Sequence, residues 1–274
     1  MIVITGATGN VGRALVKRLV AEGQSVRGVS RDPKRAALPP DVEVNHLESE
    51  GLFDGASKLF LHVRATGDHT GTVLERARAG GVRHVVMLSS GIIREGADET
   101  HPIHLMHARA EQLVRDSGME WTFLRPNAFS TNAFQWAPQI RQGDSVHAPF
   151  AGAVSAPIHE DDIAAVAERC LLDPGHESAV HRLTGPAATT NAGQVAAIGQ
   201  ALGRELTYVE TPTEEAEATL FPELPRQTVR ALLKSFAATV DSPPEITFEV
   251  ESITGRPART FAEWAEDHRA DFAA

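Results

Sequence analysis

The sequence predicts an α/β protein built on a doubly wound parallel sheet. Short β-branched and apolar runs alternate with segments of helical periodicity through the first half of the chain. Apolar strands separated by helices indicate a parallel sheet with both faces covered. The predicted strands are 2–5, 25–30, 42–46, 58–63, 84–90 and 121–125, and the predicted helices lie near 10–22, 69–80 and 103–117.

Composition limits the classes of partner. The chain has 274 residues, is 42% hydrophobic and carries a formal charge of -10 without a long basic run. Neither nucleic acid nor an anionic membrane surface is therefore predicted as a main partner. A single cysteine, Cys170, excludes an internal disulfide, and no apolar run reaches the roughly 18–20 residues that span a bilayer. With no signal-peptide pattern in its opening residues, the protein is predicted to be cytoplasmic.

A glycine-rich stretch, GATGNVG (6–12), follows the first predicted strand and opens the first predicted helix. In this context glycines permit a sharp turn, close approach of the backbone to a pyrophosphate and close packing of helix on strand. The helix N-terminus adds free N–H groups and a partial positive charge. The spacing GxxGxxG thus predicts a Rossmann-type dinucleotide site, with cofactor-binding residues Gly6, Thr8, Gly9, Asn10, Val11 and Gly12.

The end of the second predicted strand indicates which dinucleotide binds. An NAD site places an acid there, about twenty residues after the glycines, to bind the ribose 2′-hydroxyl. Here the strand ends at Ser30 and Arg31, and Lys34 follows. Two cations and a hydroxyl suit a 2′-phosphate, so the sequence favours NADP (NADPH) over NAD. The alternative is that Arg31 and Lys34 are solvated surface charges.

The sequence pattern of alternating strands and helices changes after Pro126. Residues 1–136 are predicted to form the NAD(P)-binding Rossmann domain. Residues 137–274 are predicted to form mainly a smaller, discontinuous C-terminal substrate-binding and cap region, with segments around 154–184 returning to the Rossmann core. Prolines bracket a predicted helix at 226–238 inside a predicted cap at 210–245, and Thr260 with Glu263 three residues later predicts a capping box.

Three motifs together resemble a known family. With GATGNVG at the start, LSSG (88–91) ending the fifth strand and SGMEWTFLRPNAF (117–129), the sequence is similar to the atypical short-chain dehydrogenase/reductases, and within them to the NmrA-like group. The resemblance implies a Rossmann fold and binding of NAD(P). Members of the group include NADPH-dependent quinone and azo-dye reductases, isoflavone-type reductases, and proteins that bind NADP without known turnover.

The resemblance also implies catalytic positions. Carbonyl-reducing relatives use a serine at the end of the fifth strand, a role open to Ser89 or Ser90, and a Tyr-x-x-x-Lys pair on the next helix. If Glu111 is aligned with the acid that often follows that lysine, His107 stands at the lysine position and Ile103 at the tyrosine position. The only tyrosine, Tyr208, lies far along the chain. Epimerase, dehydratase and ordinary ketoreductase chemistry are therefore not predicted.

Three histidines, in HPIHLMHARAE (101–111), raise the question of a metal. They do not share one helical face cleanly and the nearby donors are few, so no metal site is predicted. His107 falls on the apolar stripe of the predicted helix, which begins at the ligand-binding edge of the sheet. It is predicted either to hold the nicotinamide ribose or to act as a general acid with a pKa near neutrality. A half-buried histidine bonded to Glu111 or to backbone is an alternative.

Residues of the RPNAF turn follow the sixth strand. The resemblance places Pro126, Asn127 and Phe129 near the nicotinamide, with Asn132, Trp136 and Phe150 lining a substrate pocket. Aromatic side chains there suit a flat, conjugated small molecule. The same aromatics could instead pack the smaller domain.

The sequence therefore favours an NADPH-dependent reductase of a quinone or related conjugated carbonyl, with His107 and Ser89 as candidate catalytic residues. A non-catalytic NADP-binding sensor of the NmrA type and a biosynthetic tailoring enzyme are the alternatives. Whether the protein is a homodimer is left open.

Overall fold

A computed structural model describes residues 1–219, 224–240 and 242–273. The strands of this part, numbered in chain order, are β1 Ile2–Ile4, β2 Val26–Val29, β3 Glu43–Asn45, β4 Lys58–His62, β5 His84–Leu88, β6 Glu120–Pro126, β7 Ala128–Phe129, β8 Ser145–Ala148, β9 Val154–Ser155, β10 Pro157–Ile158, β11 Ala179–Leu183, β12 Thr189–Thr190 and β13 Thr207–Glu210. Its α-helices are α1 Asn10–Ala21, α2 Val63–Thr66, α3 Thr70–Ala79, α4 Pro102–Asp116, α5 Ala137–Ile140, α6 Glu160–Leu172, α7 Asn191–Leu202, α8 Thr213–Thr219, α9 Arg226–Ala237, α10 Glu249–Thr254, α11 Phe261–Asp267 and α12 Arg269–Phe272.

The six predicted strands of the first half form one parallel sheet with β11. Among the described residues its order is β11-β6-β5-β4-β1-β2-β3, and each of the six strand pairs is parallel. The order reverses between β1 and β4, and ligands of open α/β sheets bind at the carboxyl ends of strands at such a point. The predicted α/β fold with a doubly wound parallel sheet is confirmed.

Burial on both sides of the sheet explains its apolar strands. In β4 the three central residues, Leu59, Phe60 and Leu61, are all fully buried although successive side chains point to opposite faces. One face packs against α3 and α4 in a single apolar cluster that includes Val73 and Val114. Helices α1 and α6 pack on each other and contact the sheet strands separately. Both faces are thus covered, as the absence of hydrophobic alternation in the strands predicts.

The chain divides into two compact units. Unit 1 comprises 1–126, 160–183 and 249–256, and unit 2 comprises 127–159, 184–248 and 257–274. Unit 1 contains the parallel sheet. The assignment of 1–136 to the cofactor and 137–274 mainly to the substrate is a functional division and stays a prediction.

Unit 2 has its own aromatic core. Phe134 lies with its ring centroid 5.1 Å from Trp264 and 5.7 Å from Phe272. The predicted capping box is present at the start of α11, where Thr260 and Glu263 bond each other's backbone N–H groups.

The predicted cap at 210–245 is described only in part. Helices α8 and α9 share a small apolar cluster formed by Ala216, Val229 and Leu233. Residues 220–223 and Asp241 lie outside the described residues. In the described part of the chain, no helix has the length and apolar character that crossing a membrane requires.

Candidate functional site

The loop between β1 and α1 has the geometry of a phosphate-binding turn. Gly6 has φ +67°, a left-handed conformation that glycine adopts without steric cost. A Cβ on Gly12 would lie 2.1 Å from the carbonyl oxygen of Gly6, so only glycine allows α1 to pack this closely on the loop. The N–H of Gly9 donates to the same carbonyl at 3.0 Å and closes the turn.

The N-terminus of α1 is open to an anion. Gly9 is its N-cap, no side chain of the described residues caps it, and its first turn carries no acid. The first backbone N–H groups of a helix lack intrahelical partners and carry partial positive charge. A Cβ on Gly9 would meet only the Gly6 carbonyl oxygen, at 3.4 Å, so the described protein leaves the space above Gly9 free. These residues fit the pyrophosphate of a dinucleotide.

Of the other predicted loop residues, Asn10 is exposed, Thr8 is half-buried and Val11 is buried. Val11 packs in the core rather than facing solvent, so only its backbone is available to a phosphate.

The residues after β2 present a hydroxyl and two cations. Ser30 is buried and its Oγ accepts the N–H of Asp32 at 3.1 Å, which leaves the hydroxyl proton free to donate. Arg31 and Lys34 are both exposed, and neither is drawn into an ion pair with another described residue. Their charges are therefore available for an external anion.

Ser89, which follows β5, is bonded to a buried carboxylate. Its Oγ donates to Glu111 Oε1 at 2.6 Å, and Arg125 Nε and Nη2 donate to the two oxygens of the same carboxylate at 2.9 and 2.7 Å. Arg115 adds a further bond to Oε2 at 3.0 Å. Glu111 is 1% exposed. Burial alone would raise the pKa of Glu111, but the bonds from Arg125 and Ser89 outweigh burial and hold that pKa below its usual value.

His107 is buried in α4. Burial, followed by the charge of nearby His62, lowers the pKa of His107 to about 4, below the near-neutral value predicted for a general acid. Its Nδ1 is buried without a partner among the described residues, and the catalytic role of His107 stays a prediction. The oxygens of Glu111 are occupied by Ser89 and two arginines.

A second imidazole, half-buried, lies against the glycine loop. His62 ends β4, and a Cβ on Gly6 would lie 3.2 Å from the Cβ of His62. The Nδ1 of His62 is also buried and has no partner within the described chain, and burial together with Arg64 lowers the pKa of His62. Buried polar atoms without partners are rare, and a bound ligand is one explanation for them. Sequence reasoning missed His62, although it stands at the carboxyl end of a predicted strand.

The predicted substrate residues fall in unit 2 and are only partly grouped. Asn132 and Trp136 line a pocket together with Tyr208. The Nε1 of Trp136 is buried without a partner among the described residues, whereas the Tyr208 hydroxyl donates to the Pro149 carbonyl at 2.8 Å. Phe150 packs instead against the apolar cluster of α8 and α9. Its role in substrate binding stays a prediction.

The turn after β6 is divided between the two units. Pro126 is the last residue of β6 in unit 1, whereas Asn127 and Phe129 belong to unit 2, where Phe129 lines the same pocket as Asn132. Their predicted contact with the nicotinamide stays a prediction.

We expect Glu111→Gln to lower the free energy of unfolding by about 3–5 kcal/mol, because it leaves two guanidinium groups around a neutral amide in a buried site. Urea denaturation measures the change.

Because the pKa of Glu111 is depressed in the folded protein, the stabilisation is present above the unfolded pKa and is lost as pH falls through the folded pKa. The loss of stability between neutral and acidic pH should therefore be smaller in the variant. An unchanged midpoint at neutral pH would contradict the buried network.

Residues 6–174 match the NAD(P)H-binding family. A reductase of Streptomyces griseus, the (4-alkanoyl-5-oxo-2,5-dihydrofuran-3-yl)methyl phosphate reductase, is 36% identical over 285 residues, covering 100% of this chain and 99% of the relative. The NAD(P)H azoreductase of Xenophilus azovorans is 32% identical over 292 residues, covering 100% of both chains.

Solved structures show the same fold. The NADPH-dependent quinone oxidoreductase of Escherichia coli superposes with a TM-score of 0.79 at 25% identity, covering 97% of this chain and 99% of that one. The NmrA double mutant gives 0.74 at 20% identity, covering 99% and 96%, which supports the fold alone. The resemblance inferred from the sequence motifs is thus confirmed, and the protein belongs to the NAD(P)H-binding family of oxidoreductases with an atypical short-chain dehydrogenase/reductase fold.

Proposed function

We propose that the protein is an NADPH-dependent reductase that transfers hydride to a small conjugated carbonyl compound, a quinone or an unsaturated lactone. The observation that carries the proposal is the uncapped N-terminus of α1. Gly9 leaves free space there, although packing within the protein does not require a glycine at this position. NADPH, when bound, supplies the hydride.

The residues of this chain act on the cofactor by binding and orientation. Backbone N–H groups at the start of α1 hold the pyrophosphate, and Gly9 allows its close approach. Arg31, Lys34 and the Ser30 hydroxyl bind the ribose 2′-phosphate, and the choice of NADPH over NADH rests on them. His62, beside the glycine loop, and His107, in α4, each have an Nδ1 atom without a hydrogen-bond partner among the described residues. We infer that they hold the nicotinamide half through hydrogen bonds as neutral imidazoles.

The names of the relatives indicate the class of acceptor. A 5-oxo-2,5-dihydrofuran carries a ring double bond, and an azo compound and a quinone are also electron-poor conjugated systems. Each accepts hydride without a strong acid at the site, since the resulting anion is delocalised. In unit 2 the unpartnered Nε1–H of Trp136 and the amide of Asn132 provide polar groups for such an acceptor in a pocket that also contains aromatic rings.

The proton that completes the reduction is assigned to solvent. Ser89 already donates its proton to Glu111, and His107 with a pKa of about 4 is neutral at pH 7. We therefore propose that Ser89 positions the end of β5 and that His107 orients ligand, so that catalysis depends on positioning.

Purified protein with NADPH should reduce at least one member of a panel of naphthoquinones, azo dyes and acyl-substituted unsaturated lactones, seen as loss of NADPH absorbance. NADH should be the poorer hydride donor. Arg31→Ala should narrow the difference in reduction rate between NADPH and NADH. Tight NADPH binding without turnover on any acceptor would contradict the reductase and favour an NADP-binding sensor.

Gly9→Ala should weaken NADPH binding on the order of 10-fold, since a methyl group occupies the space that the pyrophosphate approaches. Its thermal midpoint should stay near that of the parent protein, because its Cβ meets one atom at 3.4 Å. Gly12→Ala should instead destabilise the fold by about 1–3 kcal/mol or prevent folding. Gly143→Ala, whose Cβ meets no described atom within 4 Å, is the matched control. Fluorescence titration and thermal unfolding report the two effects; unchanged NADPH affinity in Gly9→Ala would contradict the site.

Between about pH 5.5 and 8, kcat/KM should show no inflection due to His107, since burial keeps this imidazole neutral over that range. His107→Gln should change KM for NADPH without changing the shape of the pH profile. His147→Gln, at an exposed histidine, is the control. An inflection near pH 6.5 that disappears in His107→Gln alone would restore the general-acid role.

A further inference from the structure

A cysteine and two histidines converge in unit 1, apart from the glycine loop and the Glu111 network. Cys170 is fully buried in α6, His176 lies in the turn that follows, and His181 lies in β11. One donor atom from each of the three residues lies within 4.8 Å of the others. They come from three consecutive pieces of backbone at the edge of the parallel sheet.

The two imidazoles are already at the separation that a metal requires. His176 Nδ1 and His181 Nε2 are 3.2 Å apart. Two nitrogens bound to one tetrahedral zinc ion at 2.0–2.1 Å lie about 3.3 Å from each other. A zinc-bound sulfur lies about 3.6 Å from each nitrogen, which small side-chain rotations of Cys170 and the histidines can reach from the observed arrangement.

A carboxylate fixes the tautomer of one imidazole. Glu249, the first residue of α10, places Oε2 2.9 Å from His181 Nδ1. A proton on Nδ1 therefore leaves the Nε2 lone pair facing His176 and Cys170. Metal-binding histidines commonly donate their second N–H to a carboxylate in this way, which raises the basicity of the ligating nitrogen.

Two acids lie beside these three residues. Glu249 bonds His181 at 2.9 Å, and Asp173 stands between Cys170 and His176 in the chain. Two basic side chains lie nearby as well: Arg169 is paired with Asp173 at 2.5 Å, and the Lys58 ammonium donates to the carbonyl of Leu171, next to Cys170. A divalent ion that displaced the thiol proton of Cys170 would be partly neutralised by the two acids.

We propose that Cys170, His176 and His181 form a zinc-binding site, with Glu249 as the residue that orients His181. On binding, the Cys170 thiol loses one proton to solvent and the thiolate, His176 Nδ1 and His181 Nε2 become three ligands, leaving a fourth position for water. One thiolate and two imidazoles form a borderline-soft donor set that favours Zn²⁺ over Mg²⁺ or Ca²⁺. The site links α6, β11 and the start of α10, and it stabilises the segment of unit 1 that returns at 249–256.

Co²⁺ titration of the chelator-treated full chain tests the site directly. Because Cys170 is the only cysteine, a thiolate-to-cobalt charge-transfer band can arise from this residue alone. One equivalent should give that band with the intense visible bands of tetrahedral cobalt, and one equivalent of Zn²⁺ should displace it. Titration without the charge-transfer band would overturn the proposal and leave His176, His181 and Glu249 as a hydrogen-bonded chain.

Variants separate the ligands from general metal affinity. In competition with a chromophoric chelator, Cys170→Ala and His181→Gln should each abolish stoichiometric Zn²⁺ binding, and Glu249→Gln should weaken it about 10–100-fold. His147→Gln should bind as the parent does. Zn²⁺ should raise the Tm of the parent and of H147Q but not that of H181Q. Equal Zn²⁺ affinity in the parent, H181Q and E249Q would contradict the assignment, and E249Q keeps the test decisive if loss of the buried thiol impairs folding.

Discussion

A buried carboxylate holds together the carboxyl ends of two central strands and the helix beside them. Glu111, on α4, receives bonds from Ser89 after β5 and from Arg125 near the end of β6. A third bond from Arg125 reaches the Ile93 carbonyl in the loop after β5. Removing an ionised carboxylate from water is costly, and only its full set of charged donors makes its burial acceptable. The positions of α4 and of the ends of two central strands are therefore fixed by one set of hydrogen bonds.

In the glycine loop, by contrast, it is the absence of side chains that matters. Gly12 is required by the fold because its α-carbon packs against the Gly6 carbonyl, but Gly9 is not. We propose that a ligand explains this glycine, which the fold does not require and which lies at the uncapped end of a helix. The buried Nδ1 atoms of His62 and His107 support the same proposal, because neither has a hydrogen-bond partner within the described protein.

The strands of unit 1 and helix α7 could be predicted from the sequence because local patterns determine them. Helix α7 carries such local signals at both ends, with Thr190 as its N-cap and Gly203 in the left-handed conformation at its C-terminal end. The capping box at Thr260 could likewise be predicted from the sequence. Long-range pairings were not: the bond between Arg125 and Glu111, the return of 249–256 to unit 1, and the grouping of Cys170 with His181 depend on tertiary packing. The pKa of His107 could not be inferred either, because its burial and the nearness of His62 are properties of the folded chain.

Direct transfer of hydride from NADPH is the central claim, and isotope labelling tests it most directly. Protein incubated with NADPH deuterated at the transferable position of the nicotinamide, and with an acyl-substituted unsaturated lactone, should give a reduced lactone that carries one deuterium on carbon. In buffered D₂O with unlabelled NADPH, that carbon should stay unlabelled. Absence of deuterium from the product in the first experiment, or its appearance in the second, would contradict the account.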